Sequence, residues 1–350
     1  MSFAAAIVLL IVGSCLLTLQ MPRDKRLHNY RLSRRLMGWA YILLAVAGLF
    51  DVTAIDVDQD FTLVVVLILA GCQALLFSFA LATLVNPIVA SLCKITDYVL
   101  FIGMLSVLLV AVLFFAPALF RPVFYGCLAF YCVELGLFVR LFVKEWRRCK
   151  TKLDNFFSDN EERRLWWVAV AFLLATCVGI MVVVLLLYFN LRLLLFFVVF
   201  YLLCYIYLGM RYISYPTEFY RIAPAVDPEQ EPATGASAEA IGAALERWLA
   251  GKGYLQAGLS LDALAREIGC NRSYLSRHVN SELGLNFKAW IRSLRIAESQ
   301  KLLRDHAEIP VTEIGEMVGI HGRSTFFAQF LETTGMSPGE YRRHLDDASR

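Results

Sequence analysis

Residues 165–190 contain no Asp, Glu, Lys or Arg. A water-soluble domain has no use for twenty-six residues this apolar. A helix needs ~20 such residues to cross a hydrocarbon core, and it satisfies its own backbone polar groups there. The pattern recurs through the first two-thirds of the chain. Apolar segments at 2–19, 36–54, 61–85, 98–115, 123–143, 165–189 and 193–212 predict seven transmembrane helices. Hydrophobic residues form 59% of the 350, against roughly 45–50% in soluble proteins. The apolar runs stop near Tyr215. The expected organisation is a transmembrane domain at 1–213, a polar linker at 214–237 and a soluble helical domain at 238–350, all-α throughout.

The first segment lacks a basic leader and ends in Arg23, Lys25 and Arg26, so it reads as a retained helix rather than a signal peptide. Basic residues then orient the bundle. Arg23, Lys25, Arg26, Arg31, Arg34 and Arg35 follow the first segment. Lys144, Arg147, Arg148, Lys150, Lys152, Arg163 and Arg164 follow the fifth. Both loops are expected on the cytoplasmic side of the membrane. That places the N-terminus outside and the C-terminal domain in the cytoplasm. Trp39, Tyr41, Trp166 and Trp167 are expected in the interfacial aromatic belt.

The predicted outer loops are short, about ten residues or fewer, so the bundle itself or a partner membrane protein must recognise any signal. Glu134 lies near the middle of the fifth segment, Gln73 near the middle of the third and Asp51 near the end of the second. An ionisable group at that depth faces the bundle interior. Two readings stay open for these residues: a polar signal pocket, or hydrogen bonds between helices.

No HExxH, GxSxG or Walker A sequence occurs, and the nine cysteines include no CxxC pair. The cysteines read as small buried hydrophobes. An enzyme, a metal site and a cofactor are not expected. Residues 216–237 hold four prolines and a Gly-Ala-Ser run and read as a linker without an element of its own.

The polar C-terminal part is written twice. Leu264-Ala265-Arg266-Glu267-Ile268-Gly269 matches Ile314-Gly315-Glu316-Met317-Val318-Gly319 at an offset of fifty. After the turn the offset is fifty-one: Leu275 matches Phe326, Val279 matches Phe330, Gly284 matches Gly335 and Trp290 matches Tyr341. Such constancy predicts two copies of one unit. In each, a short helix ends at a glycine and a second helix follows, which is the geometry of a helix-turn-helix. Ser260 and Asn271 stand where N-caps belong. Inward Leu275 and Val279 leave Arg272, Ser273, Ser276, Arg277 and Asn280 outward, facing solvent or DNA. Inward Phe326 and Phe330 leave Arg323, Ser324, Thr325, Phe327 and Ala328 outward. One helix at 286–305 joins the copies, preceded by an amphipathic helix at 238–250.

Leu264-Ala265, Tyr274-Leu275-Ser276-Arg277, Gly284 with Phe287, the 295–303 stretch, Ile314, Gly319, Ser324 with Phe326 and Phe330, Gly335-Met336-Ser337-Pro338 and Tyr341-Arg342 together resemble the AraC family of transcription regulators. The resemblance implies a seven-helix domain whose two recognition helices enter adjacent major-groove segments. By motif, the first reader offers Ser273, Ser276 and Arg277, and the second offers Arg323 and Ser324; Asn271, Arg272, Asn280 and Thr325 complete the expected interface. Departures are Ile320, Gly315 and Ala328, where the family carries an aromatic, an alanine and a basic residue. The expected partners are double-stranded DNA, the lipid bilayer, RNA polymerase, a small-molecule or membrane-protein signal and a second copy. The reading is a membrane-embedded one-component regulator. The alternatives are a transporter or channel with a cytosolic regulatory domain, and a membrane-tethered scaffold.

Overall fold

The computed structural model describes residues 2–22, 24–53, 59–86, 92–226 and 238–348. Among them the chain forms fifteen α-helices and no strand; one isolated antiparallel bridge joins Phe157 and Ser260. The helices fall into two compact units. One holds Met1–Cys149 and Glu162–Pro228, the other Lys150–Glu161 and Glu229–Arg350.

The first unit contains α1 (Ser2–Thr18), α2 (His28–Thr53), α3 (Gln59–Val85), α4 (Leu92–Phe115), most of α5 (Phe120–Phe156), α6 (Trp166–Leu187), α7 (Leu191–Ser214) and α8 (Pro216–Val226). Among the described residues, five helical segments are long and apolar enough to cross a membrane: Gln59–Val85, Thr96–Phe115, Pro117–Phe156, Trp166–Leu187 and Leu191–Ser214. The expected count of seven is not reached among the described residues: the apolar run in α1, Ala4–Thr18, is shorter, and the second half of the expected 36–54 segment lies outside the described side chains.

Small residues let α1 and α2 approach closely. A β-carbon at Gly13 would stand 2.9 Å from the Tyr41 β-carbon, and one at Gly38 would stand 2.7 Å from Leu17 Cδ2. Tyr41 is fully buried, and its hydroxyl donates to the Tyr205 carbonyl at 2.5 Å. Trp167 is buried against Tyr212 and Tyr215. Of the four residues expected in an aromatic belt, only Trp39 and Trp166 are exposed, at 60% and 66%. Tyr41 and Trp167 are drawn into the core because their rings find aromatic partners and the Tyr41 hydroxyl finds a buried carbonyl acceptor.

Two expected boundaries are corrected. The fifth helix does not stop at Val143 but continues to Phe156. Its basic residues are good helix formers, so the helix persists after the apolar stripe ends. Residues after Pro216 are not an element-free linker: Pro216–Val226 is α8. Proline suits a first helical position, where its missing N–H is no loss. Phe219, Ile222, Ala223 and Val226 then form one buried stripe.

The second unit packs two apolar cores. The first gathers Leu245, Trp248, Tyr254, Leu264, Leu275, Val279, Phe287 and Trp290; the second gathers Ile296, Leu303, Ile314, Val318, Ile320, Phe326 and Phe330. Helix α12 (Phe287–Asp305) contributes to both, so it sets their spacing. Glu298 on α12 is buried, and Lys252 Nζ reaches it at 2.5 Å. The hydrogen bond from Lys252 holds the Glu298 carboxyl below the usual carboxylate range. A depressed folded value means the pair stabilises the unit above about pH 4.3 and that this stabilisation is lost as pH falls through the folded value. Glu298→Gln is therefore expected to flatten the acid dependence of amide exchange in α12 below about pH 4.5. An unchanged acid profile in that variant would show that Glu298 is not the titrating group.

Candidate nucleic-acid interface

Helix α10 (Leu261–Glu267) starts at Ser260, whose side chain accepts from the Ala263 N–H at 3.2 Å. It ends where Gly269 takes φ +73°. The Cys270 N–H then closes on the Ala265 carbonyl at 2.9 Å. Helix α11 (Arg272–Glu282) follows, with the Asn271 side chain accepting from the Ser273 N–H at 2.7 Å. Leu275 and Val279 are buried beneath it.

The second copy reproduces this closure fifty residues later. Helix α13 (Val311–Met317) ends at Gly319, φ +76°, and the Ile320 N–H closes on the Gly315 carbonyl at 2.9 Å. The extra residue is Gly322, at φ +88° just before α14 (Arg323–Thr334). No side chain caps α14. Instead the Glu316 carboxylate accepts from the Gly322 N–H at 3.2 Å and pairs with His321 at 2.5 Å. Those contacts hold the Glu316 carboxyl below its ordinary range, His321 first and the Gly322 amide second.

The departures at Gly315 and Ile320 have packing causes. A β-carbon at Gly315 would stand 2.9 Å from Phe326 Cγ, so the glycine makes room for that ring. Ile320 is buried in the second core, where its aliphatic chain fills the space.

Ser273, Arg277 and Asn280 are exposed on α11, with Ser276 half-buried among them. Asn280 Nδ2 donates to the Ser276 carbonyl at 2.8 Å. On α14, Arg323 and Ser324 are exposed and Thr325 is half-buried. The Arg323 guanidinium lies 5.3 Å from the centre of the Phe327 ring. Phe327 is not outward as expected; it packs against the second core. Two candidates are engaged within the unit. Asn271 caps α11. The Arg272 side chain, only 12% exposed, reaches Asp262 at 3.5 Å and stacks over the Phe156 ring at 5.6 Å.

Arg295 sits behind this surface. It is buried, and its three guanidinium nitrogens donate to the Tyr254 carbonyl (2.8 Å), the Gln256 carbonyl (2.7 Å) and Asp159 Oδ1 (3.1 Å). Residues 150–161 were expected in a membrane loop and belong instead to this unit. The aromatic pair Phe156-Phe157 inside an otherwise polar, basic stretch was the available signal.

In the first unit, Gln73 is buried beside the Tyr205 hydroxyl. One Glu134 carboxylate oxygen is buried with no hydrogen-bond partner among the described residues. The other would stand 3.7 Å from a β-carbon at Gly71, two residues from Gln73. The Asp51 side chain lies outside the described residues.

A family profile described as a helix-turn-helix domain matches residues 264–344. The transcriptional activator RhaR of Salmonella dublin is 28% identical over 95 residues, covering 27% of this chain and 33% of that protein. RhaR of Salmonella choleraesuis (strain SC-B67) is 30% identical over the same coverage. The chain thus spans about a third of the length of these relatives. A solved structure, the C-terminal domain of AraT, a response regulator from Geobacillus stearothermophilus, is 31% identical with a TM-score of 0.28, covering 32% of this chain and 88% of that one. With the repeated turn closure and the family motifs, the family profile and the RhaR matches make residues 264–344 an AraC-type helix-turn-helix domain of the transcription-regulator kind.

Proposed function

We propose that this protein is a membrane-embedded transcription regulator that binds specific DNA through α11 and α14 on the cytoplasmic side of a bacterial inner membrane. The observation that carries the reading is the exposed face of Ser273, Arg277 and Asn280 on a capped helix of an AraC-type domain, in a chain with five helices apolar enough to span a bilayer. The basic residues of 23–35 and 144–164 support the orientation. The first reader carries more of the chemistry. Ser273, Ser276, Arg277 and Asn280 offer donors and acceptors to base edges and phosphates, while Ala328 gives the second reader no charge there.

A signal acting on the bundle shifts the domain only by binding two bundle states with different affinity. Gln73, buried, and Glu134, with one buried oxygen unpaired, are the polar groups on which such a signal would act. The relatives are named transcriptional activators, which favours activation as the sense of control. Mapping the DNA bound by the intact protein in its cell identifies target genes and, through them, the signal class.

The test of DNA reading uses the full chain in lipid nanodiscs with DNA selected for binding. Arg277→Ala is expected to weaken binding by about 1–3 kcal/mol, with discrimination relaxed at one half of the site, as for loss of a bidentate base contact. An equal loss on all sequences would demote Arg277 to a phosphate contact. Absence of any sequence-selective, salt-sensitive binding by the unaltered chain would sink the reading and favour a protein-binding scaffold.

A further inference from the structure

The last turn of α5 and the turn after it form part of the DNA-reading unit, not of the helical bundle that precedes them. Phe156, Phe157 and Ser158 are all buried, at 7%, 7% and 5% exposure. The backbone pairs like the start of a strand ladder: Phe157 bridges Ser260, and the Ser158 N–H donates to the Leu259 carbonyl at 3.0 Å. Asp159 is forked, with Oδ2 accepting from the Gly258 N–H at 2.9 Å and Oδ1 from Arg295 at 3.1 Å. Asp154 pairs with Lys288 at 2.8 Å, both side chains largely shielded. These contacts fall on residues 258–260, which lead directly into α10, and on α12, which spaces the two readers.

The same segment covers a group placed to meet DNA. Arg272 is the first residue of α11. A long cation at that point, one turn before Ser276 and Arg277, is within side-chain reach of a phosphate running past the reader. Here its guanidinium lies over the Phe156 ring and beside Asp262, 12% exposed. A cation held between an aromatic face and a carboxylate is desolvated and paired, so it must leave both to bind a phosphate.

We propose that residues 150–161 are a built-in clamp: they dock on the first helix-turn-helix unit and withhold Arg272 from DNA, so that movement of α5 controls the reader. The clamp is covalently the end of α5, which runs Phe120–Phe156. A change in that helix therefore reaches the reader without passing through residues 227–237. The control role rests on the DNA-binding reading above; the docking does not.

The experiment compares the full chain in nanodiscs with Phe156→Ser and Asp154→Lys variants, measuring DNA affinity and amide exchange together. Phe156→Ser removes the ring over Arg272, and Asp154→Lys sets two cations opposite each other. The clamp predicts faster exchange at the Ser158 and Gly258 amides in both variants and DNA binding at least about tenfold tighter, the gain being abolished by adding Arg272→Ala. Faster exchange with unchanged or weaker DNA binding would overturn the inhibitory role while leaving DNA recognition intact. Fast exchange at Ser158 and Gly258 in the unaltered chain would overturn the docking itself. Failure of every variant to bind DNA would overturn the DNA-binding reading and the control role together, with the exchange data still deciding the docking.

Discussion

Arg295→Ala is expected to destabilise the C-terminal unit by about 2–3 kcal/mol, the upper range for leaving buried acceptors without their donor. Arg295 is 3% exposed and its three donors are all used. Burial alone disfavours its charge, and the nearby Asp159 carboxylate offsets that cost. Truncation leaves the Tyr254 and Gln256 carbonyls without this donor, while Asp159, 35% exposed, keeps the Ser158 hydroxyl and can turn to water. The damage should spread because the carbonyls of Tyr254 and Gln256 belong to the turn before α10, while Asp159 belongs to the segment that pairs with Leu259. Denaturant-dependent amide exchange on the full protein reads the effect region by region. The expected result is loss of protection in α10, α12 and residues 150–161 together. A cost under about 1 kcal/mol would mean that water replaces the guanidinium readily and that the site is not closed. Arg295→Lys should recover only part of the loss, since an ammonium cannot copy the planar fork.

Gly319→Ala is expected to cost about 4 kcal/mol or more, a size that requires a specific mechanism. Two causes act there. The residue sits at φ +76°, where an L side chain is strained by about 1–2 kcal/mol. A β-carbon would also overlap the Leu255 carbonyl oxygen, a main-chain atom that cannot swing aside. Gly269 separates the two causes. It holds the matching place in the first copy at φ +73°, with nothing within 4 Å of a β-carbon. Gly269→Ala should therefore show the conformational cost alone, and the difference between the variants isolates the contact with Leu255. Equal losses at the two positions would refute that contact. The asymmetry also explains why one turn glycine is exposed and the other buried.

The repeat made much of the C-terminal unit legible before any coordinates. Ser260, Asn271, Gly269 and Gly319 act within a few residues of themselves, through side-chain caps and main-chain sterics. Their positions in the chain were enough to place α10, α11, α13 and α14. Candidate contacts were legible to the same depth: Ser273, Arg277 and Asn280 are outward because Leu275 and Val279 are inward on a helix of known period. Phe327 and Arg272 were not, because each is turned by something outside its own helix. Phe327 meets the second core, and Arg272 meets a ring more than a hundred residues earlier in the chain.

The amino-acid sequence by itself determined the helical class, the apolar character of the first two-thirds, the doubled turn and the residues available on each reader. These follow from periodicity, charge and local main-chain geometry, all set over spans of a few residues. Only the tertiary structure decided that Tyr41 and Trp167 are core rather than belt, that Gly315 makes room for Phe326, and that residues 150–161 join the helix-turn-helix unit. Arg295 and Asp159 are 136 residues apart. Hydropathy read along the chain carries no information about such a pair, since its energy depends on which surfaces meet.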